Sequence, residues 1–169
     1  MSKVWYISDC HFGHKNILKY RPEFSSIEEH NGTIMDNILS VVTKRDTLIM
    51  LGDMFFTAKE LQDKGNILRK VPGWAHLVLG NHDTDNAKRA DNVGNMWGMF
   101  DSVHGITTRN GFWLTHAPIH PVELRGKKNI HGHVHRGTLD DERYINVSCE
   151  NVNYKPISLD DIRAGWRHY

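Results

Sequence analysis

The side chains that could do chemistry in this sequence fall in short clusters: Asp9-Cys10-His11, Gly52-Asp53, Gly80-Asn81-His82-Asp83, His116 and His131-Gly132-His133-Val134-His135. The chain has 12 histidines, and several of them sit in short clusters with Asp, Asn and Gly. Two aspartates, an asparagine and at least four histidines are too many donors for one tetrahedral zinc, and the thiolates that structural zinc favours are missing. Two neighbouring ions fit the set better. Mixed carboxylate, imidazole and amide-oxygen donors suit Mn, Fe, Zn, Co or Ni more than Ca or Mg, which prefer shells made almost entirely of oxygen. Two such ions about 3.5–4 Å apart can hold both the attacking and the leaving oxygen of an in-line phosphoryl displacement.

Each of the first four clusters follows a short apolar run that reads as a buried strand: Val4-Trp5-Tyr6-Ile7, Thr47-Leu48-Ile49-Met50-Leu51, His76-Leu77-Val78-Leu79 and Phe112-Trp113-Leu114-Thr115. Loops at the carboxyl ends of strands converge while the sheet holds their bases rigid, which is where sites form in open α/β sheets. Between the first three runs lie helical patterns. Ser26 to Glu29 reads as a capping box ahead of Ile34, Ile38, Val41 and Val42 at helical spacing. Thr57 to Glu60 is a second capping box, opening a helix to about residue 70 that Gly65-Asn66 weakens, and a third helix is expected from Thr84 to Phe100. Asn110-Gly111 between Gly105–Thr108 and Phe112–Thr115 signals a hairpin, Arg143–Ser148 and Tyr154–Ile157 read as late strands, and Ser158–Asp161 opens a short terminal helix. Gly132 favours a tight turn over an extended run in the last cluster. The order predicts one α/β domain over residues 1–169 whose sheet has a parallel half and an antiparallel half.

D-x-H, G-D, G-N-H-D, a lone His and G-H-x-H, in that order over residues 9 to 135, resemble the calcineurin-like metallophosphoesterases. The stretches His11–Asn16 and Asn129–His133 are similar in particular to the small single-domain predicted phosphoesterases of bacteria and phages. The resemblance implies two packed mixed β-sheets flanked by helices. It also implies that Asp9, His11 and His135 hold one metal, that Asn81, His116 and His133 hold the other, and that Asp53 bridges them. His82 would then face the substrate as the catalytic residue, acting on the leaving-group oxygen or steadying the transition state. Two divalent ions are expected as cofactors, Mn first and Fe, Zn, Ni or Co as alternatives. A hydroxide between the ions would attack phosphorus in line, with no covalent intermediate. The protein-phosphatase branch extends the second motif to G-D-x-x-D-R-G, whereas this chain has Gly52-Asp53-Met54-Phe55-Phe56, which leaves Asp83 as a weak candidate partner for His82.

Outside the motifs, His14, Asn16 and Arg125 are candidates for substrate contact. His14 and Asn16 could equally begin a short helix at residues 16–20, and Arg125, Lys127 and Lys128 form a local basic run. His131 either orients a ligand or packs. His120 reads as a turn residue; His30, His76, His104 and His168 read as surface or packing residues; Cys10 belongs in the core, and Trp97, Trp113 and Trp166 pack. Lys plus Arg number 21 against 20 Asp plus Glu, so the net charge gives no footprint for nucleic acid or an anionic membrane. Specificity would come from loops 14–24, 84–100 and 117–128. The expected activity is hydrolysis of phosphoesters, small diesters or nucleotides first. A nuclease or cyclic-phosphate phosphodiesterase is the nearest alternative, and a non-catalytic scaffold on the same fold is the rival from another class. Two cysteines without metal-type spacing, no secretory signal and no span-length apolar run predict a cytoplasmic protein. No interface pattern indicates an oligomer.

Overall fold

Four short parallel strands, β1 (Val4–Ile7), β2 (Thr47–Met50), β3 (Trp74–Val78) and β4 (Ser102–His104), pair in the order β4-β3-β2-β1. The computed structural model describes residues 1–55, 68, 70–85 and 98–166. Val4 pairs with Thr47 and Ile7 with Met50, while Met50 pairs with Leu77, so these strands end level with one another. Tyr6, Ile7, Leu48, Met50 and Leu77 are fully buried, as expected of strands covered on both faces. The 15-residue helix α1 (Ile27–Val41) joins β1 to β2 and buries Ile34, Met35 and Ile38. Ser26 caps it by accepting from Glu29 N, but Glu29 reaches back to Ser25 N and Oγ rather than closing the box on Ser26.

The second sheet runs β5 (Thr107–Arg109), β6 (Phe112–Leu114), β7 (Lys128–His131) and β8 (Tyr144–Asn146) in that order. Asn110 and Gly111 turn β5 into β6 with φ of 55° and 89°, as a two-residue hairpin of mirror-image type requires. The expectation of an antiparallel second half is corrected here. β6, β7 and β8 are mutually parallel, and the antiparallel members are the edge strands β5 and β9 (Ile157–Ser158), the latter paired to β1 in the first sheet. The connection through residues 115–127, with a 3-10 helix at Pro121–Leu124, carries the chain back over the sheet and makes a parallel return possible.

Three further expectations change. Helix α2 (Asn81–Asp85) starts on the third cluster itself rather than at Thr84, and residues 98–100 form a turn and bend, not helix. Tyr154 and Lys155 are not strand, because Asn153 and Tyr154 turn with φ of 51° and 58° before β9 begins. The short helix expected at residues 16–20 is a 3-10 helix over Lys15–Lys19. The terminal helix α3 (Leu159–Arg163) forms as expected, capped by Ser158 Oγ accepting from Asp161 N. The Thr57 capping box, Trp97 and His168 lie outside the described residues. No helix among the described residues is long and apolar enough to cross a membrane.

The two sheets meet where their parallel strands end. Ser8 forms a parallel bridge to Ser148, with Ser8 N donating to Val147 O (3.0 Å) and Cys149 N to Ser8 O (2.9 Å). Past the strand ends the ladder continues between loops, as Asp9 N donates to Gly52 O, His11 N to Asp53 O and Phe12 N to Met54 O. The first two candidate clusters are thus tied together by backbone bonds before any side chain is considered.

Candidate metal centre

The conformation of the exit loops sets the side chains. Asp9, His11, Asp53, His133 and His135 all have positive φ, between 47° and 71°. Left-handed backbone is disfavoured outside glycine, and such strain collects at functional sites that the surrounding structure over-determines. Three glycines make room. A Cβ at Gly80 would lie 2.2 Å from Asp53 Oδ1, one at Gly132 would lie 2.3 Å from Asp9 Oδ2, and one at Gly52 would lie 2.6 Å from His116 Nδ1.

Two groups result, Asp9 with His11 and His135, and Asp53 with His116 and His133, the donor atoms of each lying within 4.8 Å of one another. Asp53 faces both: its Oδ2 is 3.3 Å from His116 Nε2 in its own group and 3.9 Å from His11 Nε2 in the other. Asn81 Oδ1 is 3.1 Å from both His116 Nε2 and His133 Nδ1, which are 3.2 Å from each other. All seven residues expected as ligands therefore converge. His82 stands at the rim, its Nε2 4.0 Å from Asp53 Oδ2 and its backbone N donating to Asp53 Oδ1 (2.9 Å).

The donor atoms fit a pair of cations. Asp9 Oδ1 and both ring nitrogens of His11 are buried without a hydrogen-bond partner, a costly arrangement for polar atoms unless something else satisfies them. Tautomers are fixed by neighbours that can only accept. His116 Nδ1 donates to Leu51 O (2.7 Å) and His135 Nδ1 to Glu150 Oε1 (3.0 Å), which leaves Nε2 of each ring facing its group. Burial alone would lower the pKa of His116, but the hydrogen bond and charge of Asp53, together with the charge of Asp9, raise it to about 9. Burial would likewise raise Asp53, yet its bonds to His116 and His82 N hold it at about 2. In the metal-free protein a proton on His116 thus sits between Asp53 and Asn81, where a cation would bind.

A sequence model described as the calcineurin-like phosphoesterase family matches residues 2–166. The chain belongs to that family. An uncharacterized protein of Methanocaldococcus jannaschii is 35% identical over 172 residues, covering 95% of this chain and 89% of its own. The gene 66 protein of Mycobacterium phage L5 is 32% identical over 163 residues, covering 80% and 78%. Among solved structures, a protein of unknown function from Aquifex aeolicus superposes with a TM-score of 0.73 at 29% identity, over 97% of this chain and 99% of that one. A Pseudomonas putida nuclease superposes with a TM-score of 0.50 at 20% identity, over 78% and 60%, and shares the fold. The phosphoesterase fold, with two mixed sheets and flanking helices, is the one built above.

Other expected residues sort by their surroundings. His14 stands at the N-cap position of the Lys15–Lys19 helix with its ring centroid 5.8 Å from that of His11, and Asn16 is exposed on that helix. Arg125 is 70% exposed and pairs with Glu123 (2.9 Å), and no contact among the described residues joins it to the ligand cluster. His120 caps the Pro121–Leu124 helix. His131 is buried, with Nδ1 donating to Gly132 O. Cys10 is buried against Cys149, and His76 and His104 share the hydroxyl of Ser102.

Asp83 does not serve His82. Its carboxylate accepts from the backbone N–H groups of Asp53 (2.9 Å), Met54 (2.9 Å), Phe55 (3.4 Å) and Gly80 (2.8 Å), stapling the second and third exit loops together. Burial is the chief cause that pushes its pKa up to about 6. His30, expected at the surface or in packing, is fully buried and accepts from Arg21 (2.7 Å) while donating from Nδ1 to Asn31. Sequence reasoning missed Arg21, Glu150, Asn146 and Ser148. Ser148 Oγ donates to Asp9 Oδ2 (2.8 Å), as does His133 N (3.0 Å), and Asn146 Nδ2 donates to His135 O (2.7 Å). The one available signal was polar residues alternating in the late strand run Asn146-Val147-Ser148.

Proposed function

We propose that the chain hydrolyses phosphoester bonds, small diesters or nucleotides first, with two divalent ions held by Asp9, His11 and His135 on one side and by Asn81, His116 and His133 on the other, Asp53 lying between. The observation that carries this reading is Asp53 Oδ2, within 4 Å of imidazole nitrogens from both groups. Manganese is the first ion to test, with Fe, Zn, Ni and Co next, since the donors mix oxygen and nitrogen without sulfur. The chemistry that bound ions supply is a water acidified for in-line attack and positive charge beside the phosphoryl oxygens.

The chain's own residues do the rest. Asp53 faces both groups, Asn81 joins His116 and His133 within the second, and the backbone ladder ties the first two loops together. His82, about a third exposed beside Asp53, can donate a hydrogen bond or a proton to the leaving oxygen of a substrate seated over the site. His14, its ring centroid 5.8 Å from that of His11, is a candidate substrate contact. Cytosolic residence belongs to the same reading, on the two cysteines without metal-type spacing.

A nuclease is the second reading, favoured by the activity named for the Pseudomonas putida neighbour. The formal net charge of +1 argues for a short substrate over an extended nucleic acid. The test is turnover of bis-p-nitrophenyl phosphate and p-nitrophenyl phosphate by metal-stripped protein with and without Mn²⁺. Turnover that needs Mn²⁺, prefers the diester and falls about 10²–10⁴-fold in His82→Ala is expected. Monoester turnover far above diester turnover would reverse the preference, and strongly salt-dependent binding of single-stranded oligonucleotides would favour the nuclease.

A further inference from the structure

Behind the first ligand group lies a buried ion pair. Arg21, just past the Lys15–Lys19 helix, has no exposed surface, and its Nε donates to Glu150 Oε1 (2.8 Å). The same Oε1 accepts from His135 Nδ1 (3.0 Å). The other arm of the guanidinium donates to the carbonyl of Asp9 (2.6 Å), and the ring of Tyr154 lies 5.4 Å from its centre. One fork therefore grips both ends of this group, the Asp9 main chain on the exit of β1 and, through Glu150, the His135 ring beyond β7. Across the gap Asp9 Oδ1 and His135 Nε2 stand 4.0 Å apart.

A buried ion pair is a weak source of stability, because taking two charges out of water costs about what their attraction returns. Here Glu150 Oε2 is also buried with no hydrogen-bond partner, so the pair is not optimised as a stabilising contact. Its bonds make sense as orientation. A histidine that ligates a metal needs its other ring nitrogen held, and a carboxylate does this while making the ring a stronger donor. In the other ligand group His116 leans instead on a neutral acceptor, the carbonyl of Leu51.

We propose that Arg21 and Glu150 are positioning residues of the first ligand group and set the affinity of one ion independently of the other. This rests on the two-ion reading above. Removal of Glu150 then leaves the Asp53, Asn81, His116 and His133 side able to bind, while the Asp9, His11 and His135 side binds about 10–100-fold more weakly.

The experiment is a Mn²⁺ titration of metal-stripped full chain followed by electron paramagnetic resonance, with bound metal counted by equilibrium dialysis. Wild type at two equivalents is expected to give the spectrum of a spin-coupled pair. Glu150→Ala at the same loading is expected to bind one equivalent at near wild-type affinity and to give the six-line signal of isolated Mn²⁺. Arg21→Lys keeps the charge without the fork and is expected to fall between. Should Glu150→Ala fail to fold by circular dichroism, Glu150→Gln, which keeps the volume, decides in its place. A folded Glu150 variant with wild-type affinities and a coupled spectrum overturns the proposal, as does equal weakening of both ions. A wild type that never shows coupling overturns the two-ion reading itself.

Discussion

His116 shows how much of the site is decided by single side chains. In the metal-free protein its imidazole is held protonated up to about pH 9 by Asp53, whereas a metal ligand must present a free lone pair. Binding of Mn²⁺ at pH 7 should therefore release a proton from this ring, and the apparent affinity should fall as pH drops further below 9. Calorimetry in two buffers of different ionisation enthalpy measures that proton, and His116→Asn should bind more weakly and release less. The residues that converge here were legible in the sequence, because Asp, Asn and His stand directly after several apolar strand runs in one order, although each alone reads equally well as a turn residue. Arg21 and Glu150 were not, being 129 positions apart and belonging to no pattern. Asp83 was noticed for the wrong task, since sequence proximity to His82 does not show that its carboxylate turns back onto four backbone amides.

At the scale of elements, that carboxylate is what joins the β2 exit to the β3 exit. Removing it by Asp83→Ala leaves the N–H groups of Asp53, Met54, Phe55 and Gly80 without their acceptor, a loss on the order of 3 kcal/mol. Urea denaturation should show that loss, and metal titration should show weaker binding through a displaced Asp53. Equal stability of Asp83→Ala and wild type would mean that water replaces the carboxylate without cost. Strand positions and the first helix were readable from apolar runs and a cap, because those patterns are local. The direction of β7 and β8 was not. Period-two alternation marks a strand but says nothing of its partner, and the parallel pairing depends on how residues 115–127 carry the chain back.

Across the whole molecule, stability and function meet in the buried polar cluster of Arg21, His30 and Glu150 behind the first ligand group. Burial holds His30 neutral, lowering its pKa from 6.5 to about 4 against the opposing bond to Asn31. The unfolded chain takes up a proton near pH 6.5 that the folded protein refuses until about pH 4, so this ring's contribution to stability falls as pH is lowered between those values. The raised pKa values of His116 and Asp83 act in the opposite sense over the same range, so the measurement is the stability difference between wild type and His30→Gln, which should shift in favour of the variant as metal-free protein is denatured at pH 5 instead of pH 7. The central claim, a phosphoesterase that works with two ions shared across Asp53, is tested most directly by the turnover of bis-p-nitrophenyl phosphate as Mn²⁺ is added to metal-stripped protein. Turnover in wild type should rise until two equivalents are bound and be nearly absent in Asp53→Asn at any loading. Full activity without metal, saturation at a single bound ion, or wild-type turnover in Asp53→Asn would contradict it.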